Sequence, residues 1–365
     1  WNTASSITQT WNGSAWIPTS TGDYHAVESM DECIFICNNS FYWNGLNCIE
    51  GKSGETCTGQ TKCYNNDYNE ISCPDEGSDF YGQDAHYLSK CITKKDFTIS
   101  GSGANEVVID INTNLFWQRV IPEIYPGCTG FSGSQSAGEQ CYWQEAMNYC
   151  NGLNYADYSD WRIPTLHELM SISDYGKEPV VDEAFFFSEN YMDNFWTSSE
   201  LTQDPNRVWE MSNYNGSVDS SLDKNDSRSK SPVRCVRGNE WKPAHTFIES
   251  IHNGDVVVMD KENGLMWGKE YSGKIMWVNA LSYCEGLNYA GYTDWRLPNI
   301  NEMKTLIDIS ISAPLSSFPD MPSYSFWSST SSFGSPHQAL VVRFDEPFLI
   351  SSGVKTTYNY ARCVR

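Results

Sequence analysis

The sequence contains one stretch of twelve residues twice, nearly unchanged. It reads NYADYSDWRIPT at 154–165 and NYAGYTDWRLPN at 288–299. Self-similarity between two separate segments is typical of a duplicated structural unit. A fold for this chain must therefore build the same unit twice, and the residues around the two stretches decide how far each unit extends.

Each copy begins with the pattern of a β-hairpin and continues with an amphipathic helix. The segments VVIDINTNLFWQR (107–119) and VVVMDKENGLMWGK (256–269) each place turn residues between two apolar runs, which predicts a hairpin. Apolar residues at i, i+3, i+4 and i+7 then predict a helix with one stripe toward the core. These residues are Trp143, Ala146, Met147 and Cys150 in copy one, and Trp277, Ala280, Leu281 and Cys284 in copy two.

A second helix is predicted directly after the repeated stretch. Thr165 with Glu168, and Asn299 with Glu302, have the spacing of an N-terminal capping box, and a proline precedes each cap. The helices LHELMSIS and INEMKTLIDIS follow. Each copy then continues with FWTSS or FWSST, a strand containing Trp209 or Leu340, and a short closing strand in VRCVR or ARCVR.

The cysteines of the repeat occupy matching positions. Cys150 and Cys284 lie at the same place in the first helix, and Cys235 and Cys363 lie in the closing strand. We expect the pairs Cys150–Cys235 and Cys284–Cys363, each stabilising its copy by about 4 kcal/mol in the chain-entropy model. Copy one has an insertion between the hairpin and the first helix, which brings its own predicted pair, Cys128 with Cys141.

The first quarter of the chain is rich in cysteine and poor in aliphatic residues, so it needs cross-links to fold. Irregular spacing and the absence of a CxxC motif favour disulfides over zinc, which implies an oxidising, extracytoplasmic setting. Because their number is odd, one cysteine is expected to be free or to pair outside the segment. They are Cys33, Cys37, Cys48, Cys57, Cys63, Cys73 and Cys91. The predicted organisation is a stapled module at 1–93 and repeat domains at 94–238 and 239–365.

The charge and the apolar pattern exclude several classes of partner. A formal net charge of -22 argues against nucleic acid and anionic membranes, which bind through clustered lysine and arginine. We find no apolar stretch long enough for membrane insertion and no leader at Trp1. We therefore expect a secreted or cell-surface protein whose signal has been removed, or the C-terminal part of a longer chain.

The repeated motifs resemble the C-terminal domain family of the Legionella collagen-like adhesin. The resemblance rests on W..A..YC.GLNYA.Y.DWR.P...E, on FW.SS or FWSST, and on the closing RCVR, over roughly 105–237 and 253–365. It implies an α+β, C-type-lectin-like fold in tandem: two helices on small twisted antiparallel sheets, with neighbouring termini and variable loops. Relatives of this fold include adhesins and formylglycine-generating enzymes, so fold alone does not decide function.

Catalytic and metal sites are weakly supported. Asp160 with Glu168 could form a carboxylate pair, but no nucleophile or metal accompanies it, and the thiols of Cys235 and Cys363 are expected in disulfides. The lectin calcium motifs are missing, and the acidic runs 223–226 and 345–347 are typical of solvated turns. We therefore expect no enzyme activity, no metal site and no cofactor, while a structural calcium ion stays open without a motif.

Recognition is expected in the loops between the FW motif and the closing strand, where the copies differ most. Aromatic, amide and arginine side chains on loops of a rigid frame are common in binding sites. Trp209 is replaced by Leu340, which indicates a core position rather than a contact. The candidates are Gln203, Asp204, Arg207, Tyr214 and Asn215 in copy one, and Phe333, His337, Gln338, Arg343, Tyr358 and Tyr360 in copy two.

Two functions remain open from the sequence. The first is non-catalytic adhesion, with a ligand on another cell or surface. Because the chain is strongly acidic, a neutral glycan or a protein suits it better than the sulfated glycosaminoglycans associated with family adhesins. The second is a structural subunit of an extracellular appendage, in which the same loops mediate self-association. The sequence decides neither the ligand nor the copy that binds it.

Overall fold

A computed structural model of the chain describes residues 57–90, 95–131, 137–185, 194–243, 245–345 and 347–365. Before residue 51 it describes the backbone of three antiparallel strand pairs. Their strands are β1 (Gln9–Trp11), β2 (Trp16–Pro18), β3 (Tyr24–Glu28), β4 (Cys33–Cys37), β5 (Phe41–Trp43) and β6 (Cys48–Glu50). The predicted pairing of Cys33, Cys37, Cys48 and Cys91 lies outside the described residues.

The segment that follows packs on copy two of the repeat. It contains the pair β7 (Cys63–Tyr64) and β8 (Glu70–Ile71), a disulfide between Cys63 and Cys73, and a 3₁₀ helix at Asp84–Lys90. The buried carboxylate of Asp84 accepts hydrogen bonds from the hydroxyls of Thr58 (2.6 Å) and Thr330 (2.7 Å). Burial raises the pKa of Asp84 to about 6.

Copy one forms the predicted elements in the predicted order. Its first sheet has the order β15-β11-β10-β9, so the opening hairpin pairs with the closing strand. The elements of copy one are β9 (Phe97–Ser100), a 3₁₀ turn (Gly103–Asn105), β10 (Val107–Asp110), β11 (Leu115–Gln118), α1 (Trp143–Asn151), α2 (Leu166–Ser171), β12 (Asn194–Leu201), β13 (Asp204–Ser212), β14 (Val218–Asp219) and β15 (Val236–Arg237).

Copy two repeats this arrangement. Its closing tail forms isolated bridges from Val364 to Trp267 and Arg296, where copy one has a short strand. Its elements are β16 (Phe247–His252), β17 (Asp255–Asp260), β18 (Met266–Gly268), α3 (Trp277–Glu285), α4 (Ile300–Thr305), β19 (Ser325–Ser331), β20 (Gln338–Arg343) and β21 (Phe348–Val354). Both copies are therefore α+β, as predicted.

The second helices begin where the capping boxes predict. Thr165 and Asn299 each accept the backbone N–H of the glutamate three residues later, and each glutamate accepts the N–H of its cap. Both helices end after six residues, sooner than predicted, with the buried residues Ile172 and Leu306 at their C-cap positions. None of the helices in the described ranges has the length and apolar character needed to cross a membrane.

The two copies share one sheet and one core. A six-stranded antiparallel sheet has the order β12-β13-β14-β21-β20-β19, and the copies join where Val218 pairs with Ile350. The helices α2 and α4 pack on this sheet, so Leu169 of copy one and Met303 of copy two belong to one apolar cluster. Trp209 and Leu340 are both buried in it, as core positions should be.

Glu210 makes the joined sheet sensitive to pH. It lies in β13 opposite Asp219 of β14, with only 2% of its surface exposed. Burial, and then the charge of Asp219, raises its pKa from 4.5 to about 7. Between these values the unfolded chain has released a proton that the folded chain keeps, so stability falls as pH rises and then levels off.

We expect Glu210→Gln to remove this dependence, which is worth about 2–3 kcal/mol between pH 5 and pH 8. Urea unfolding of both proteins at the two pH values measures it, and the difference between them cancels the titration of other groups such as Asp84. Asp219→Asn should give a smaller effect of the same sign, because it removes the second cause alone. Equal losses in the wild type and Glu210→Gln would exclude Glu210 as the source.

Candidate functional site

The candidate residues of copy one lie on two separate turns. Gln203 and Asp204 lie at the turn between β12 and β13, close to Arg207, whose guanidinium is 3.6 Å from the Asp204 carboxylate. Tyr214 and Asn215 follow the far end of β13. Nine residues of extended strand separate the turns by roughly 25 Å. The structure therefore does not bring these five residues into one site.

The candidates of copy two are also divided, and several already have partners. Phe333 and His337 lie between β19 and β20, where the ring of His337 stacks on Tyr68 with centroids 3.9 Å apart. The amide oxygen of Gln338 accepts a hydrogen bond from Ser352. Arg343, at the opposite end of β20, pairs with Asp345 at 3.2 Å.

The repeated DWR stretch has structural contacts in both copies. Arg162 binds Glu168 through two hydrogen bonds of 2.7 and 2.6 Å, and Arg296 binds Glu302 with the same two distances. Both glutamates are fully buried and also cap α2 and α4. The carboxylates considered as a catalytic pair are thus engaged by arginine and backbone donors.

Two neighbouring side chains complete this frame. The Asp160 carboxylate pairs with Arg237 at 2.6 Å, and the hydrogen bond from Arg237 lowers the pKa of Asp160. The Trp161 ring is buried, and its N–H donates to the carbonyl groups of Tyr155 and Tyr158 at 3.2 Å. Asp160, Trp161 and Arg162 therefore all have structural partners around the turn between the two helices.

The cysteines of the repeat lie where the duplication places them. The structure joins Cys150 to Cys235, Cys284 to Cys363 and Cys128 to Cys141. The first two bonds connect the first helix of each copy to its closing segment. The third closes the insertion of copy one.

Two clusters among the described residues have metal-ligand side chains. Cys63, Cys73 and His86 form one, but both sulfurs are in a disulfide and are not thiolate ligands. His245, Asp260 and Glu262 form the other. Asp260 accepts a hydrogen bond from His245 at 2.8 Å, and both oxygens of Glu262 accept hydrogen bonds from Thr246. These contacts describe a hydrogen-bonded turn.

A small aromatic pocket brings two of the candidate residues together. Tyr358 is 62% exposed, and the ring of Tyr360 stacks on Tyr324 with centroids 4.5 Å apart and planes 11° apart. The pocket has a volume of about 160 Å³. Its lining consists of Lys274, Ser323, Tyr324, Ser325, Asp345, Tyr358, Asn359 and Tyr360.

The pocket combines fixed aromatic faces with polar groups. The ring of Tyr271 packs edge-to-face against that of Tyr360, with centroids 5.7 Å apart, so Tyr360 of the stacked pair also contacts a third ring. The ammonium group of Lys274 lies 5.8 Å from the Tyr360 ring, and Asp345 adds a carboxylate held by Arg343. Rigid aromatic surface beside a few polar groups is suited to binding a small, polar, ring-shaped ligand.

The profile of the Lcl C-terminal domain family matches residues 106–237 and 256–365. Together these segments make up more than half of the chain. The chain belongs to the Lcl C-terminal domain family. The two matched segments are the tandem copies that the repeat predicts. No curated protein matches the chain.

The aromatic pocket is a property of the second Lcl copy. Aligning the closing RCVR motifs places Tyr358 and Tyr360 of copy two at the positions of Lys230 and Pro232 in copy one. Lys274 corresponds to Gln140 when the first helices are aligned. Copy one therefore has no tyrosine at the positions of Tyr358 and Tyr360, while both Lcl copies keep the DWR motif and its contacts.

Sequence reasoning missed a larger cavity, which lies between the two Lcl copies. Its volume is about 410 Å³, and α2 and α4 both contribute to its walls. The only sequence signal for it is that His167 and Asn301 hold matching positions, as do Met170 and Lys304. These matching positions do not predict a cavity unless the two copies are already known to face each other.

Proposed function

We propose that the chain is a non-catalytic adhesion protein that binds a neutral glycan through the aromatic pocket of copy two. Membership of the Lcl C-terminal domain family suggests an adhesin-like function. The observation that carries the choice of ligand is the exposed Tyr358 beside the stacked rings of Tyr324 and Tyr360. A volume of about 160 Å³ suits one sugar ring.

The chemistry of the pocket favours an uncharged sugar over a sulfated one. Lys274 and Asp345 supply one charge of each sign, so the lining offers no excess of positive charge for a polyanion. Hydroxyl and amide groups of Ser323, Ser325 and Asn359 provide both hydrogen-bond donors and acceptors. Sugar hydroxyls need both.

Disulfides support placement outside the cytoplasm. Four of them join described residues, and such bonds persist in oxidising environments.

We also assign each copy a C-type-lectin-like fold. Support comes from its two helices and from the pairing of the opening hairpin with the closing segment, at Trp117 with Val236 and at Trp267 with Val364.

A glycan array with the full chain tests the proposal. We expect binding to uncharged glycans and about tenfold weaker binding by Tyr358→Ala, because the exposed ring provides contact surface. Tyr214→Ala is the matched control, since it removes a tyrosine of copy one that does not line the pocket. Equal binding by Tyr358→Ala would place the ligand elsewhere, and no binding to any glycan would leave a protein ligand as the better hypothesis.

The alternative function, a structural subunit of an extracellular appendage, has one supporting observation. The edge strands β9 and β16 carry Ile99 and Ile251, which are 45% and 74% exposed. Apolar residues on an open sheet edge favour strand addition between copies of a chain. Ordered assembly without ligand, seen as a rise of molar mass with concentration in light scattering, would favour this function over a monomeric adhesin.

A further inference from the structure

The cavity between the two copies is built by matching elements of each. The helices α2 and α4 contribute His167 and Met170 from one side, and Asn301 and Lys304 from the other. Residues before β9, at the turn after β10 and between the copies close it. With a volume of about 410 Å³ it lies in the range of small-molecule sites.

The matching positions carry different chemistry, so the cavity is not symmetric. Met170 corresponds to Lys304, and Lys95 corresponds to His245, because Phe97 and Phe247 hold the same register opposite Asp110 and Asp260. The substitutions place both cavity lysines, Lys95 and Lys304, in a space whose other walls include Phe97, Met170 and Trp241. An apolar chamber with two ammonium groups results.

Neither lysine forms an ion pair with a described residue. The ammonium group of Lys304 donates to the carbonyl of Met170 at 3.3 Å and to the side-chain oxygen of Asn301 at 3.1 Å. That of Lys95 donates to the carbonyl of Ser173. Asp110 also lines the cavity, but its carboxylate accepts hydrogen bonds from Asn112 and Thr113 in its own turn.

Burial acts on both ammonium groups. It lowers the pKa of Lys95 to about 8, and together with the charge of Lys95 it holds the pKa of Lys304 well below its usual value. At Lys95 the carboxylates of Asp174, Asp182 and Asp110 offset part of this effect. An anion in the cavity would add negative charge beside both ammonium groups and favour their protonated form.

Two further polar groups of the wall lack partners among the described residues. They are Nε2 of His167 and the side-chain nitrogen of Asn263, in residues with 6% and 9% of their surface exposed. Buried polar atoms usually have hydrogen-bond partners. Their position at this cavity indicates that a polar ligand completes the wall.

We propose that the cavity between the copies binds a small carboxylate with an apolar body. The carboxylate would contact Lys95 and Lys304, and the body would pack against Phe97, Met170 and Trp241. This site is independent of the aromatic pocket, because none of its lining residues belongs to that pocket.

Calorimetric titration of the full chain tests the assignment, with two series of probes that share an apolar body and differ in the charge of the head group. The probes are 4-phenylbutyrate, 4-phenylbutanol and 4-phenylbutylamine, together with hexanoate, hexanol and hexylamine. We expect each carboxylate to bind about ten- to a hundredfold more tightly than its alcohol, since a charge-assisted hydrogen bond is worth roughly 1.5–3 kcal/mol. The amines should bind most weakly. Quenching of Trp241 fluorescence, absent in Trp241→Phe, would locate the probe.

Variants separate the cavity from general charge effects. Lys95→Met with Lys304→Met should abolish the preference for carboxylates, whereas Lys62→Met, which changes an exposed lysine, should not. Ser171→Phe adds a phenyl ring at the wall and should block every probe. If the alcohols or amines bind as tightly as the carboxylates, if no carboxylate binds at millimolar concentration, or if the double variant binds like the wild type, the proposal is overturned.

Discussion

Replacing Arg296 by Met is expected to lower the free energy of unfolding by about 3–5 kcal/mol, the usual cost of breaking a buried ion pair. The Arg296 side chain is 4% exposed and pairs with the fully buried Glu302. Losing Arg296 leaves that buried carboxylate without its guanidinium partner. Urea unfolding followed by tryptophan fluorescence measures the loss.

The equivalent pair in copy one provides the matched control. Arg162 bonds Glu168 with the same geometry but is 26% exposed, whereas the ring of Tyr87 covers Arg296 at 5.2 Å. Water reaches Glu168 more easily once the arginine is removed. The loss of unfolding free energy in Arg162→Met should therefore be smaller than that in Arg296→Met by at least roughly 1 kcal/mol. Adding Glu302→Gln to Arg296→Met should recover part of the loss, because the amide still accepts the Asn299 N–H. Equal costs in both copies would show that the cover by Tyr87 has no effect.

Local interactions explain why much of each copy could be predicted from sequence. The capping boxes at Thr165 and Asn299 depend on groups three residues apart, so a pattern of four residues contains the whole interaction. Two turn-separated apolar runs likewise suffice for the hairpin that contains Trp117. The duplication added the cysteine pairs, since each position had a counterpart 128 to 134 residues later.

Contacts between distant segments could not be predicted in the same way. The copies join through β14, a strand of two residues, Val218 and Asp219, which carries no recognisable periodicity. The segment before copy one is held on copy two by single polar groups such as Asp84 and Gln60, whose side-chain oxygen accepts the backbone N–H of Ser331 at 2.8 Å. Such isolated bonds give no sequence pattern.

The candidate site shows the same division. Tyr358 and Tyr360 could be found because they lie next to the closing motif in a part where the copies differ. Tyr324 and Lys274 complete the pocket, but Tyr324 lies just before β19 and Lys274 just before α3. Both are distant from Tyr358 and Tyr360 in sequence and come near them only in the folded chain. The loop residues of copy one were grouped by sequence, and the length of β13 keeps them apart.

Removing the long-range disulfides is the second change with a large expected effect. Cys284→Ala with Cys363→Ala opens a loop of 79 residues, and Cys150→Ala with Cys235→Ala opens one of 85 residues. Each should lower the free energy of unfolding by about 4.5 kcal/mol in the chain-entropy model, against about 3 kcal/mol for the short pair Cys128–Cys141. All six cysteines are buried, so the cavities left by alanine are similar in kind.

The same variants test whether the shared sheet makes the copies unfold together. Because β14 pairs with β21 and one apolar cluster spans both copies, loss of either long-range bond should shift a single calorimetric transition to lower temperature. The Cys128–Cys141 variant is the control, since its bond closes only the short insertion of copy one, whereas each long-range bond ties the first helix to the closing segment. The alternative result is two separate transitions, with each long-range variant shifting only the transition of its own copy. That result would show that the junction at Val218 and Ile350 is too weak to couple the copies. An equal loss from the short pair would argue instead that chain entropy is not the source of the stabilisation.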